Sequence, residues 1–238
     1  MKIGDIKSNL LDMARCNACC VREGALCAGL SDDEFKHINL SIEDIRFPAG
    51  SPLYRQGYDG RYIYSIRQGM VKLNRLRQNG DQRIMRVLRS GDVAGIEVIV
   101  ASHYEYDAIA LDMVLACRIP IEVMKQLDSE SPRLHQNLLK RWHQTLVEAD
   151  EWMAELTSGS ARARLARLLL KMRNTDQPEL STLFSRDDIG SMLCMTMETA
   201  SRTINAFQRE GKIVSLDAGG RFYRVNTKAL EIEIISAD

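Results

Sequence analysis

Cys16, Cys19, Cys20 and Cys27 fall within the short stretch CNACCVREGALCAGL. Thiolates spaced C-x2-C reach one centre from a single turn of chain. A third after seven further residues closes a loop around that centre and leaves the fourth ligand to come from elsewhere. Zinc and an iron–sulfur cluster both satisfy this arithmetic. Cys20 offers a substitute for Cys19 as a ligand, or a neighbouring resolving thiol, so a thiol–disulfide switch is a third chemistry for the same residues. A second set lies near the other end, in SRDDIGSMLCMTMETASRTINAFQREGK, residues 185–212. There Glu198, Ser201, Arg202 and Asn205 recur at helical spacing. Arg can pair with guanine, Glu can accept from cytosine, and Ser can serve base or phosphate, which is what a helix in the DNA major groove needs.

The elements that must carry these residues can be read around them. Ser185 is a good N-cap, with Asp187 and Asp188 in the first turn where the helix dipole favours negative charge. Ile189, Met192 and Leu193 give that helix an apolar side. Thr196 caps a second helix, Gly211 fits just past its end, and Ala200, Ile204 and Phe207 face inward. Residues 213–216, a Gly219-Gly220 turn and residues 222–225 read as a β-hairpin. A helix-turn-helix followed by a hairpin is a winged helix; spacing alone leaves an ordinary amphipathic surface helix as the alternative. Cys194, in the turn, reads as a small buried residue.

Upstream, YIYSI, MVKLNRL, RIMRVL and VLACRI alternate or cluster apolar residues, with glycines at about ten-residue intervals and a strong Asn79-Gly80 hairpin signal. An all-β sandwich or roll is expected. After Pro120 a long helix is expected over 121–156, with a break near Ser131-Pro132. Leu139, Trp142, Leu146, Ala149, Met153 and Leu156 form an a/d seam that points to a parallel dimer, the alternative being one side of a core helix. Thr157-Ser158-Gly159-Ser160 reads as a hinge. The helix 161–172 opens the last domain, 174–179 is a polar linker, and the tail after Thr227 is a short amphipathic end.

The chain of 238 residues carries 32 Lys and Arg against 32 Asp and Glu, so its formal net charge is zero. Any nucleic-acid surface must therefore concentrate its charge locally; Arg162, Arg164, Arg167, Lys171, Arg173, Arg186, Arg202, Arg209 and Lys212 cluster in the last third. The opening MKIGDIKSNLLDMAR lacks an apolar signal region, and no run approaches the ~20 apolar residues of a membrane span. A cytoplasmic protein with no membrane partner is expected, a compartment where six cysteines call for metal or redox chemistry. His37, His103, His135 and His143 are scattered. No catalytic triad, P-loop or paired carboxylates stand out, so no enzyme is expected.

E-x-x-S-R, as Glu198, Ser201 and Arg202 have it, resembles the recognition helix of the FNR branch of the CRP/FNR bacterial transcription regulators. Cys16, Cys19 and Cys27 followed by Ala28-Gly29-Leu30 resemble the C-x2-C-x7-C form of that branch, and Cys117 in LACRIP stands where its distant fourth cysteine belongs. The resemblance implies an α+β chain: a cysteine-rich sensor segment (1–29), a cyclic-nucleotide-binding-like β-roll (30–120), a dimerisation helix (121–158) and a winged helix-turn-helix (159–238). It further implies an oxygen-labile [4Fe–4S] cluster on Cys16, Cys19, Cys27 and Cys117. The implied partner is a palindromic TTGA-type operator, bound as a homodimer through Glu198, Ser201 and Arg202, with Thr196 at the helix start and Arg186 and Arg209 as candidate phosphate contacts. Activation or repression would also involve RNA polymerase, though no residue pattern marks that surface. A cyclic nucleotide is not expected. The family's nucleotide sites use Gly-Glu and a downstream Arg-Ser or Arg-Thr; here Gly95-Ile96-Glu97 and Tyr104-Glu105-Tyr106-Asp107 supply no arginine, and two carboxylates would repel a phosphate. A thiol–disulfide regulator of the same fold, and a structural zinc protein that binds a protein partner, remain the alternatives.

Overall fold

The structure is a computed structural model that describes residues 42–76, 82–174 and 177–236. The expected lead-in over residues 1–15, Cys16, Cys19, Cys20, Cys27 and the Asn79-Gly80 turn lie outside the described residues. Apart from Gln82–Ile84, the chain divides into two units within one helix, between Leu146 and Val147.

The first unit is a β-roll. Its strands are β1 (Glu43–Phe47), β2 (Pro52–Tyr54), β3 (Tyr62–Gln68), β4 (Val71–Leu76), β5 (Gln82–Leu88), β6 (Val93–Ala94), β7 (Asp107–Ala110) and β8 (Val114–Pro120). They form two four-stranded sheets, ordered β1-β8-β3-β6 and β2-β7-β4-β5. Ile63, Ile66, Val71, Leu73, Ala108, Val114, Ala116 and Ile119 are buried between them. Val71 and Leu73, like Val114 and Ala116, alternate along their strands, whereas β3 buries four consecutive residues, Ile63 to Ile66, next to an irregularity in its pairing with β8.

Two helices follow, α1 (Ile121–Glu130) and α2 (Pro132–Leu156). The break has a local cause: Pro132 takes the first helical position, where its missing N–H costs nothing, and the hydroxyl of buried Ser131 accepts from Leu134 N at 3.4 Å. Along the expected seam Leu139, Leu146 and Met153 are 57%, 58% and 64% exposed. Leu156 departs from that expectation, since it is fully buried within its own chain and cannot face a second one.

The second unit contains α3 (Ala161–Lys171), β9 (Leu180–Thr182), α4 (Arg186–Leu193), α5 (Met197–Arg209), β10 (Ile213–Ser215), β11 (Phe222–Val225) and α6 (Thr227–Ile235). Leu165, Leu168, Leu169, Ile189, Leu193, Ile204 and Phe207 make its core. The hairpin gains a third strand, giving the order β10-β11-β9. β9 is three residues long, too short for any period to show in the sequence. The tail is likewise more than an end: Asn226 caps α6, accepting from Ala229 N, and Leu230 is buried.

Candidate nucleic-acid interface and sensor site

The helix-turn-helix is held by its caps. Ser185 accepts from Asp188 N and Thr196 from Thr199 N, each at 3.1 Å. Between the helices Cys194 takes the left-handed conformation at φ 53, which costs a non-glycine residue roughly 1 kcal/mol. The expectation of a buried Cys194 is corrected here: a residue that ends a helix in this conformation turns its side chain outward, and Cys194 is exposed. The close approach falls instead at Gly190, where a Cβ would lie 2.7 Å from Met195 O and 3.2 Å from Met197 N. Arg164, on α3, closes the turn by donating to Leu193 O at 2.6 Å and Cys194 O at 3.4 Å.

α5 presents two faces. Ala200, Ile204 and Phe207 are fully buried. Glu198, Arg202, Asn205 and Arg209 are exposed on the other side, with Ser201 half-buried beside them. Glu198 and Arg202 form an exposed pair, 3.7 Å apart with side chains 76% and 72% accessible. Thr196 is committed to capping, its hydroxyl also 2.9 Å from that of Thr199. Arg209 extends the same face, its Nε donating to Asn205 O. Arg186 is placed differently: half-buried, it donates to Tyr223 Oη at 2.9 Å and ties the hairpin to the start of α4.

The far end of α5 is fixed by a charge cluster that residue spacing does not reveal. Arg162 on α3 donates to Glu210 at 2.7 and 3.0 Å and to Glu233 on α6 at 2.5 and 2.9 Å. Its guanidinium also stacks over the Phe207 ring at 4.9 Å. Lys212 pairs with the same two carboxylates. Hydrogen bonds from Arg162, then from Lys212, hold the Glu210 and Glu233 carboxyls down at about 2. The partners are distant in sequence, so only a basic ARARLAR run followed by remote acids could have hinted at it.

In the roll, Cys117 lies on β8 between Asp44 of β1 and Ser65 of β3. Ala116 beside it points into the core, so Cys117 points to the opposite face and is partly exposed. Its thiol is 3.5 Å from Asp44 Oδ1, and Asp44 is paired with Arg67 at 2.9 Å. Among the described residues no group of three or more His, Cys, Asp or Glu is placed to hold a metal. Of the four cysteines that the resemblance implies as ligands, Cys117 is the one that falls among the described residues. The turn at Gly95, φ 79, meets the Tyr104 segment inside the roll. Tyr54 and Tyr104 stack there at 3.9 Å, with Tyr64 at 5.8 Å from Tyr54, and burial pushes all three hydroxyls up. Asp107 accepts from Gln56 N at 2.8 Å and pairs with Arg55.

Comparison with known proteins fits this geometry. Residues 44–131 match the family described as cyclic nucleotide-binding domain, and residues 163–231 match the Crp-like helix-turn-helix domain. The chain is 27% identical over 201 residues to the fumarate and nitrate reduction regulatory protein of Vibrio cholerae, covering 82% of this chain and 80% of that one. It is 26% identical over 205 residues to the protein of that name from Escherichia coli K12, covering 83% and 82%. The backbone resembles FixK2 from Bradyrhizobium japonicum with a TM-score of 0.72 at 22% identity, covering 80% of this chain and 96% of the other. It also resembles a CRP-family transcriptional regulator from Thermus thermophilus, TM-score 0.69 at 25% identity, covering 81% and 97%. No helix among the described residues is long and apolar enough to cross a membrane. With both domains matched in chain order and relatives aligned along four-fifths of their length, the chain belongs to the CRP/FNR family of transcription regulators, proteins that bind DNA and are not enzymes.

Proposed function

We propose that this chain is an FNR-type regulator, a homodimer that reads a palindromic TTGA-type operator in the cytoplasm. The observation that carries this reading is the exposed face of α5, where Glu198, Ser201 and Arg202 project from the capped N-terminal half of the helix. Arg202 is the bidentate donor to guanine, Glu198 the acceptor from cytosine and Ser201 the short polar contact between them. Arg209 reaches phosphate further along the same face, and Arg186 sets the hairpin in place as well as lying near the backbone. The exposed Leu139, Leu146 and Met153 are covered by the same residues of a second copy, which spaces two recognition helices for two half-sites.

Control is assigned to a [4Fe–4S] cluster on Cys16, Cys19, Cys27 and Cys117. The spacing of the first three, the outward thiol of Cys117 and the names of the relatives support it. When bound, the cluster supplies an oxygen-sensitive centre that ties the first thirty residues to the roll. The chain's own residues do the rest: Cys117 anchors the segment on β8, and the seam is thin enough, with Ala149 and Met153 in place of Leu or Ile, for a small coupling energy to shift the dimer population. Tyr54, Tyr64 and Tyr104 pack against one another inside the roll, and this reading assigns it a scaffolding role without a cyclic nucleotide. Contact with RNA polymerase follows DNA binding.

The test is metal and sulfide analysis of anaerobically isolated protein, paired with operator binding before and after air. Brown protein with iron and acid-labile sulfide, whose operator affinity falls on oxygenation, is expected. Colourless protein that responds to oxidant through a disulfide would replace the cluster with a thiol switch. Tight zinc with indifference to air, and no preference for the palindrome, would overturn both.

A further inference from the structure

The segment between the expected seam and the DNA-binding helices reads from sequence as a hinge, but hydrogen bonds hold its backbone at several points. The last carbonyls of a helix lack partners within it. At the end of α2, Met153 O accepts from the Thr157 hydroxyl at 2.5 Å and Ala154 O from the Ser158 hydroxyl at 2.6 Å. Arg167, reaching back from α3, donates to Glu155 O at 3.2 Å and to Ser158 O at 3.0 Å. A cation at this end also suits the helix dipole. The reversal itself is made by Gly159 at φ 82, where a Cβ would stand 3.4 Å from the Arg167 guanidinium, so the inside of the turn is filled. Ser160 then caps α3, accepting from Ala163 N at 3.1 Å.

One turn further along α3, Lys171 bonds Glu151 and Glu155 at 3.3 and 3.4 Å and lies 5.7 Å from the ring of buried Trp152. Leu156 is fully buried in the same place. The last ten residues of α2 therefore belong to the DNA-binding unit, in keeping with the division between Leu146 and Val147. Met153, exposed on the seam, sits on this locked portion. Within this unit Met153 is thus connected to α5 through hydrogen-bonded parts, and Arg167 joins the end of one helix to the body of the other.

We infer that Arg167, supported by Lys171, is a positioning residue that fixes the angle between the seam helix and the recognition helix, and thereby sets the half-site spacing the dimer accepts. It rests on the reading of a dimer on a palindrome. Arg167 touches no DNA in this scheme: its guanidinium donates to the Glu155 and Ser158 carbonyls. The physical consequence is specific. Loosening the joint leaves each α5 able to read a half-site, but lowers the effective concentration of the second recognition helix at its own half-site, and lets wrongly spaced sites compete.

The test is Arg167→Ala, with Lys171→Ala as a second, milder variant, titrated anaerobically by fluorescence anisotropy. The duplexes carry one TTGA-type half-site, the palindrome at its best spacing, and the palindrome lengthened or shortened by one base pair. Sedimentation velocity checks the dimer, and thermal melting checks folding. For Arg167→Ala the half-site affinity should stay within about twofold. Palindrome affinity should fall about tenfold, near 1.4 kcal/mol, and the preference for the best spacing should shrink by a similar factor. The salt dependence of binding should keep its slope, because no phosphate contact is lost. Lys171→Ala should move spacing preference in the same direction by less. An unchanged spacing preference in a folded dimeric Arg167→Ala protein overturns the inference. A salt slope reduced by about one per half-site makes Arg167 a phosphate contact and overturns it as well. Wild-type protein that shows no preference for any palindrome would instead defeat the dimeric reading beneath it.

Discussion

Replacing Arg202 with alanine separates folding from reading. In the unbound protein the Arg202 side chain is 72% exposed and pairs with Glu198, an exposed partner 3.7 Å away. Such a pair one helical turn apart is worth at most about 0.5 kcal/mol, and alanine is the better helix former, so stability should change by less than about 0.5 kcal/mol. In the groove the same side chain is desolvated, and a bidentate contact to guanine discriminates by about 1–3 kcal/mol per half-site. Two half-sites make that roughly 2–6 kcal/mol, a loss of at least about 30-fold in preference for the operator. Glu198 adds to the loss, since without its cation it faces the phosphates unbalanced. Anisotropy titrations with the palindrome and with a duplex scrambled at the guanine positions measure the ratio directly, and thermal melting of the same sample measures stability. The expected result is an unchanged midpoint with a collapsed ratio. A variant that still discriminated the two duplexes as the wild type does would refute the assignment of Arg202, and a melting loss of several kcal/mol would refute the claim that its side chain is idle in the fold.

Gly190→Ala should destabilise the DNA-binding unit by about 1–3 kcal/mol despite the better helix propensity of alanine, because the new Cβ meets backbone at Met195 and Met197 that cannot yield cheaply; denaturant unfolding checks it. Glu233→Gln should remove an acid-sensitive part of stability. The folded carboxyl titrates at about 2 against an ordinary 4.5, so its contribution is complete above about 4.5 and is lost as pH falls through 2. The full shift would correspond to roughly 3 kcal/mol, and screening at the rim of the cluster reduces it to about 1–2 kcal/mol. Asp92 and Glu97, which burial pushes up, act in the opposite sense, so the difference between variant and wild type across pH 2–6 is the quantity to follow, by chemical denaturation. Leu146→Glu should leave the single chain folded, because Leu146 is largely exposed there, while placing like charges across the seam. Sedimentation should show monomer, and palindrome affinity should fall at least about 100-fold as the second half-site is lost; a variant that remained dimeric would place the interface elsewhere.

The parts of this protein that are legible in the chain are those whose cause is local. Ser185 and Thr196 cap the helices they precede because a side-chain oxygen two or three residues from an orphan N–H needs no distant partner. The buried face of α5 follows from helical period, the strands of the roll from alternating or clustered apolar residues, and the break at Ser131-Pro132 from a missing N–H. Residue spacing also suffices to single out Glu198, Ser201 and Arg202, since a helix fixes which side chains share a face. Other features depend on where distant segments meet. Cys194 departs from its expected burial because exposure at a turn is decided by the backbone angle that joins two helices. Arg162, Arg164 and Arg167 look like surface or DNA-facing charge, yet each guanidinium caps or braces a different element far away in sequence, at Glu210 and Glu233, at Leu193, and at Glu155. Composition and period specify what each segment can become; the energy of a long cationic side chain depends on which carbonyl or carboxylate lies at its tip, and that is determined only when the chain has closed on itself.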